Sequence, residues 1–145
     1  MLRALLANNV TVDLFCLERD GRDLPKTDLN LNDSKIFFIN KSRARLRMLK
    51  ALCSGRSLTT AFFNESKLKE ELEDLDFISY DKVFVCSSCL GFLLPFFQAK
   101  DLGNKLIWDL IDLDSIKWSV LSVKMPFIKK LIYKREAKLI AELEK

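Results

Sequence analysis

Along the chain, stretches whose apolar residues recur every three or four positions alternate with short runs that are apolar almost throughout. Leu2, Leu5 and Leu6 ahead of Asn8 and Asn9 read as the end of a helix with an asparagine stop. Residues 10–17, rich in Val and Phe with alternating polarity, predict a strand. Residues 19–34 are polar, contain Gly21 and Pro25, and read as a loop; residues 35–40 predict a second strand. Leu46, Leu49 and Leu52 predict a helix over 43–53 that ends at Gly55. A further helix over 64–75, capped by Asn64 or Ser66, carries Leu68, Leu72 and Leu75 on one face. Residues 82–86 form a third predicted strand opening into Ser87 and Ser88. Residues 90–99 follow as an apolar helix that Pro95 starts late or kinks. Residues 105–113 are the fourth strand, and 116–145 are helical with an interruption at Pro126.

Helices alternating with nearly continuous apolar strands imply an α/β fold: a Rossmann-like, mostly parallel sheet with helices on both faces. The 145 residues, 49% apolar and 30% charged, suit one globular domain spanning 1–145. No apolar run reaches the roughly 18 residues needed to cross a bilayer, and the first residues lack the length and cleavage site of a secretory signal. These features predict a cytoplasmic protein.

The chemistry concentrates at the far end of the fourth strand. Burying a carboxylate without a partner costs several kcal/mol, so Asp109, Asp112 and Asp114 at the end of an apolar run need water, donors or a ligand. Ser87 and Ser88 end one parallel strand and Asp112, Asp114 and Ser115 end another, so both groups emerge on one edge, where open α/β sheets bind ligands. With Lys117 they make the candidate binding site; the plainer alternative is that Asp114 or Ser115 caps the next helix. Trp118 either stacks on a ligand ring or fills the core. Tyr133, Arg135 and Glu136 are expected to lock the last helix to this edge through an ion pair with an aspartate. The chain has no histidine, which excludes Ser-His-Asp and Cys-His catalysis within it. Cys16, Cys53, Cys86 and Cys89 are too few and too irregular for a disulfide framework. Cys86-Ser-Ser-Cys89 has the spacing of a redox motif but sits past the middle of the chain, and a core role for Cys86 weighs more. The residues assign no catalytic group, metal or cofactor.

Two segments are strongly basic. Lys41, Arg43, Arg45, Arg47, Lys50 and Arg56 lie within sixteen residues that contain no acid, and residues 117–145 hold eight basic residues against Glu136, Glu142 and Glu144. Basic amphipathic helices attract anionic lipid, at about 1 kcal/mol per basic residue near the surface. Arg43, Arg45, Arg47, Lys50, Lys129 and Lys130 are therefore candidate membrane-surface residues, against the alternative of a solvated helix face. Nucleic acid is the weaker partner, because no aromatic platform or docking motif accompanies the charge.

Taken in order, Arg43-x-Arg45-Leu46-x-x-Leu49-x-x-Leu52-x-x-Gly55-Arg56-Ser57-Leu58-Thr59-x-Ala61-Phe62-Phe63, then Asp81-x-Val83-Phe84-Val85-x-Ser87-Ser88, then Asp112-x-Asp114-Ser115-x-Lys117-Trp118 and Tyr133-x-Arg135-Glu136-Ala137 resemble the amino-terminal domain of GT-B glycosyltransferases of the GT4 type. The pattern is most similar to sugar transferases of bacterial exopolysaccharide and PEP-CTERM systems. The resemblance implies one of two Rossmann-like domains facing a cleft: this half receives a glycan or lipid-linked acceptor, and a donor domain, on the same or a separate chain, holds the nucleotide sugar. It further implies retaining transfer without a metal. Hydroxyls and carboxylates at Ser87, Ser88, Asp112, Asp114 and Ser115 suit a sugar acceptor, and Lys117 suits a phosphate on it. The chain departs from the pattern in lacking the first strand with its glycine-rich loop, the last strands and the donor domain, and aspartates stand where many relatives have a histidine after the fourth strand. It is thus expected to be a partial domain, inactive alone, or else a non-catalytic membrane-surface or partner-binding remnant. Without its central strand, two buried edges must pair with each other or stay unpaired.

Overall fold

The structure, a computed structural model, describes residues 2–19 and 30–145. Residues 20–29, the middle of the expected loop, lie outside the described residues. The first helix, α1 (Leu2–Ala7), ends at Asn9, which takes the left-handed conformation (φ 58°) that asparagine tolerates. Strands β1 (Asp13–Glu18) and β2 (Asp33–Phe38) pair in parallel, Asp13 beside Asp33 and Glu18 beside Phe38. Helix α2 (Lys41–Cys53) is capped by Asn40, whose side chain accepts from the Arg43 amide, and it ends before Gly55 at φ 76°. Two short helices follow, α3 (Leu58–Phe63) and α4 (Ser66–Glu73). Strand β3 (Val83–Cys86) runs into a 3₁₀ segment, Ser88–Leu93, and then α5 (Leu94–Ala99), with Pro95 in the first turn where its missing N–H costs nothing. Strand β4 (Leu106–Asp109) pairs in parallel with β3, and α6 (Asp114–Val123) and α7 (Phe127–Leu143) pack on each other around Pro126.

The α/β class therefore holds, but the sheet differs from the expectation. The described strands form two parallel pairs, β1–β2 and β3–β4, with no backbone ladder between them. The two pairs nevertheless share one core. Leu68, Leu72, Phe77, Val85, Leu93 and Phe97 are buried at its centre, and Phe15, Leu17 and Phe37 from one pair and Val83, Leu106 and Trp108 from the other pack against it. Tyr80, just ahead of β3, donates to Asp13 Oδ2 at 2.6 Å, which sets β1 as the strand nearer β3 and aligns their starts. Among the described residues the edges between the two pairs carry no backbone ladder.

Among the described residues, one face of the strands is covered more fully than the other. Side chains alternate across a strand. Phe15, Leu17, Val85 and Trp108 meet the α4–α5 layer, while Ile36, Phe38, Phe84 and Ile107 on the opposite face are exposed. The fourth strand stops at Asp109 rather than reaching residue 113. Its partner β3 ends at Cys86, and the last bond between them runs from the Ser87 amide to the Asp109 carbonyl at 2.9 Å. Beyond it Ile111 and Leu113 face outward.

Two local expectations also change. Helix α4 starts after Glu65, not under Asn64 or Ser66, and has no side-chain cap. In α2 the leucine stripe faces out: Leu46, Leu49 and Leu52 are exposed and Ala44 and Ala51 are buried, because small residues let α2 approach α3 closely.

Candidate functional site

At the carboxyl ends of β3 and β4 the expected residues separate into a structural set and an open set. Ser87 leaves β3 at φ 86° and ψ 142°, a conformation costly for any residue but glycine, at about 1–3 kcal/mol, and its Oγ accepts from the Cys89 amide. Ser88 is buried and donates to Asp114 Oδ2 at 2.5 Å, while Cys89 Sγ lies 3.7 Å from the same oxygen. Asp114, buried in the first turn of α6, thus ties that helix to the end of β3 and also favours the helix's positive end. Ser115 is held by Glu144 near the end of α7, through its amide at 3.2 Å and a second, short bond from its hydroxyl. Ser88, Asp114 and Ser115 therefore join elements. Ser87, Asp112 and Lys117 remain open to a ligand, and Asp114 Oδ1 steadies Lys117 Nζ at 3.4 Å.

The last helix is locked as expected, but by another route. Glu136, 1% exposed, accepts from Ser57 Oγ at 2.5 Å and from the Leu58 and Thr59 amides at 2.8 Å each. It supplies from 77 to 79 residues away the carboxylate that a local capping box provides in sequence. Arg135 donates to the Ala51 and Arg56 carbonyls, so no aspartate is involved. Tyr133 packs edge-on against Trp118 with ring centroids 4.9 Å apart, which gives Trp118 a packing role. Close packing continues at Gly91, where a Cβ would lie 2.9 Å from Leu143 Cδ1.

All four cysteines are free. Burial raises the thiols of Cys86 and Cys89 above their usual range, with Asp109 adding to the first; a redox motif needs the opposite shift. Cys16 is likewise raised, first by burial and then by Cys86 and Glu18. No group of three or more metal-binding side chains occurs among the described residues.

Of the membrane candidates, Arg43, Arg45, Lys50 and Lys129 are exposed and Lys130 is half-buried. Arg47 is not available: its guanidinium donates to the Ala61 and Phe62 carbonyls and lies 3.5 Å from Glu65 Oε2. The α6–α7 corner adds apolar surface that the charge pattern alone did not reveal. Val123, Phe127 and Ile128 are each more than 70% exposed, beside Lys124, Lys129 and Lys130. No described helix is long and apolar enough to cross a membrane. The chain matches no protein-family model, no curated protein and no solved structure.

Proposed function

We infer that this chain is the acceptor side of a two-domain sugar transferase, of the GT-B type that its sequence resembles, in which a donor domain supplies the nucleotide sugar. The observation that carries the reading is Ser87: a strained, non-glycine residue at the carboxyl edge of a parallel pair, beside open Asp112 and Lys117. Backbone strain persists where surrounding structure enforces it, and it clusters at sites that bind or react. Ser87 and Asp112 offer acceptors and donors to sugar hydroxyls, and Lys117 offers a cation to a lipid-linked phosphate. Such an acceptor resides in a membrane, and the α6–α7 corner supports peripheral attachment at the inner, anionic face: Phe127 and Ile128 enter the interface while Lys124, Lys129 and Lys130 meet head groups.

The test is flotation of the purified chain with vesicles of neutral lipid, of neutral plus anionic lipid, and of the latter carrying a polyprenyl-phosphate-linked sugar. Binding is expected to rise at each step, the last rise vanishing in Asp112→Asn and the first when Lys129 and Lys130 are both replaced by Ser. Nucleotide sugars alone should be neither hydrolysed nor transferred, because charge stabilisation needs both walls of a cleft. Indifference to the lipid-linked sugar would overturn the acceptor reading.

A second reading, a partner-binding module without catalysis, is favoured by the bare sheet face at Ile36, Phe38, Phe84 and Ile107. It predicts binding to anionic vesicles that is blind to the linked sugar.

A further inference from the structure

The other strand pair carries a cavity that the acceptor residues do not use. It has a volume of about 260 Å³ and lies at the carboxyl end of β2, lined by Ile36, Phe38, Asn40, Arg43, Glu65 and Lys67 among others. Its wall holds an unusual group. Glu65 is 5% exposed and its Oε2 receives no hydrogen bond from the described residues. The nearest cation, Arg47, pairs with that oxygen from Nη2 at 3.5 Å, while its Nε and Nη2 donate to the Ala61 and Phe62 carbonyls. Glu65 is a lining residue, and a carboxylate accepts an O–H from a ligand.

The rest of the lining narrows the ligand. Arg43 and Lys67 bring two cations to the mouth, which calls for an anion, and Asn40 keeps its amide N–H₂ as donor while its oxygen caps α2. The Phe38 ring, 58% exposed, offers an apolar platform. An inorganic anion is repelled by Glu65; a neutral sugar leaves the two cations unused. We propose that this cavity binds a hexose phosphate, with a ring hydroxyl donated to Glu65, the ring lying on Phe38 and the phosphate between Arg43 and Lys67. The site involves neither Ser87, Asp112 nor Lys117, so its failure leaves the acceptor reading standing.

Calorimetric titration of the chain with glucose 1-phosphate, glucose and inorganic phosphate tests it. Glucose 1-phosphate is expected to bind at least about tenfold more tightly than either part. Glu65→Gln should weaken glucose 1-phosphate about fivefold or more without weakening inorganic phosphate, because Arg43 and Lys67, which hold the phosphate, stay in place. Arg43→Ser should weaken both phosphates, and Lys69→Ser, on α4 outside the lining, neither. Should Glu65→Gln fail to fold, as read by circular dichroism, the Arg43 and Lys69 variants and the three-ligand comparison decide. Equal affinity for glucose 1-phosphate and inorganic phosphate, or equal effects of Arg43→Ser and Lys69→Ser, overturns the proposal.

Discussion

On the face carrying Phe15, Leu17, Val85 and Trp108 the strands meet a layer of helices, whereas across the same strands Ile36, Phe38, Phe84 and Ile107 face outward. Both faces are apolar, so hydropathy alone does not separate them. The difference lies in what each can reach. The α4–α5 layer binds both strand pairs into one core, and the described helices leave these four residues of the opposite face uncovered. Area removed from water, not apolar character, decides where stability resides. Among the described residues the core lies on one side of the strands, and the other side is the more exposed.

The largest expected effect tests that asymmetry. Phe97→Ala, in the buried cluster, is expected to cost about 3–5 kcal/mol, whereas Phe84→Ser on the more exposed face should cost about 1–1.5 kcal/mol. Urea unfolding of both variants checks the contrast. Comparable losses would mean that the open face is covered in solution.

Next comes the junction where α7 closes the finished side. Glu136→Ala leaves the Ser57 hydroxyl and two amides without their acceptor, an expected loss of about 3 kcal/mol. Glu136→Gln, which keeps one acceptor oxygen, should lose less. A loss under about 1 kcal/mol for Glu136→Ala would show that α3 holds without this cap.

At the exit of β3 the sign reverses. Ser87→Gly is expected to stabilise by about 1 kcal/mol, since glycine adopts φ 86° without strain, while weakening binding of the lipid-linked sugar. Destabilisation by the same amount would remove strain as an argument for function.

The smallest effect concerns the contact that aligns the two pairs. Tyr80 donates to Asp13, and this bond pushes the tyrosine up to about 12 and, with Asn32, holds the aspartate below its usual range. A raised tyrosine contributes stability fully below about pH 10, and that contribution is lost as pH climbs toward 12. A lowered aspartate contributes above about pH 4 and is lost as pH falls. Tyr80→Phe should flatten the alkaline limb and soften the acid one, at a neutral-pH cost under about 1 kcal/mol. Unchanged limbs would show that the bond does not persist in solution.

Much of the architecture was legible in the sequence because it rests on local signals. The asparagine stop at Asn9, the glycine stop at Gly55, the Pro95 start and the Pro126 break all act within a turn of the chain. What escaped depends on partners distant in sequence. Helix α3 is short and rich in threonine and phenylalanine, and half of its cap comes from Glu136. The outward leucines of α2 share their spacing with core leucines, and only the contact with α3 shows that the alanines face inward. Among the candidate ligand residues, Ser88 bonds Asp114 and Ser115 bonds Glu144, and these roles as ties to α6 and α7 depend on Glu144 and on burial, which the local sequence does not carry. Glu65 gave no sequence signal, since a lone glutamate before a helix reads as solvent-exposed.

The central claim is that the two strand pairs lie side by side with open edges between them. In a strand, the N–H and C=O of one residue point to the same edge and the next residue's to the other. The Glu18 carbonyl accepts from Ile39, so Leu14 and Cys16 face β2 and Phe15 and Leu17 face the gap. The Ser87 amide bonds Asp109, so Val85 faces β4 and Phe84 and Cys86 face the gap. Amide exchange followed residue by residue by NMR reads this directly. The account predicts that Phe15, Leu17, Phe84 and Cys86 exchange at least about a hundredfold faster than Leu14, Cys16 and Val85. Equal protection of both sets would show that the edges are paired, and would contradict it.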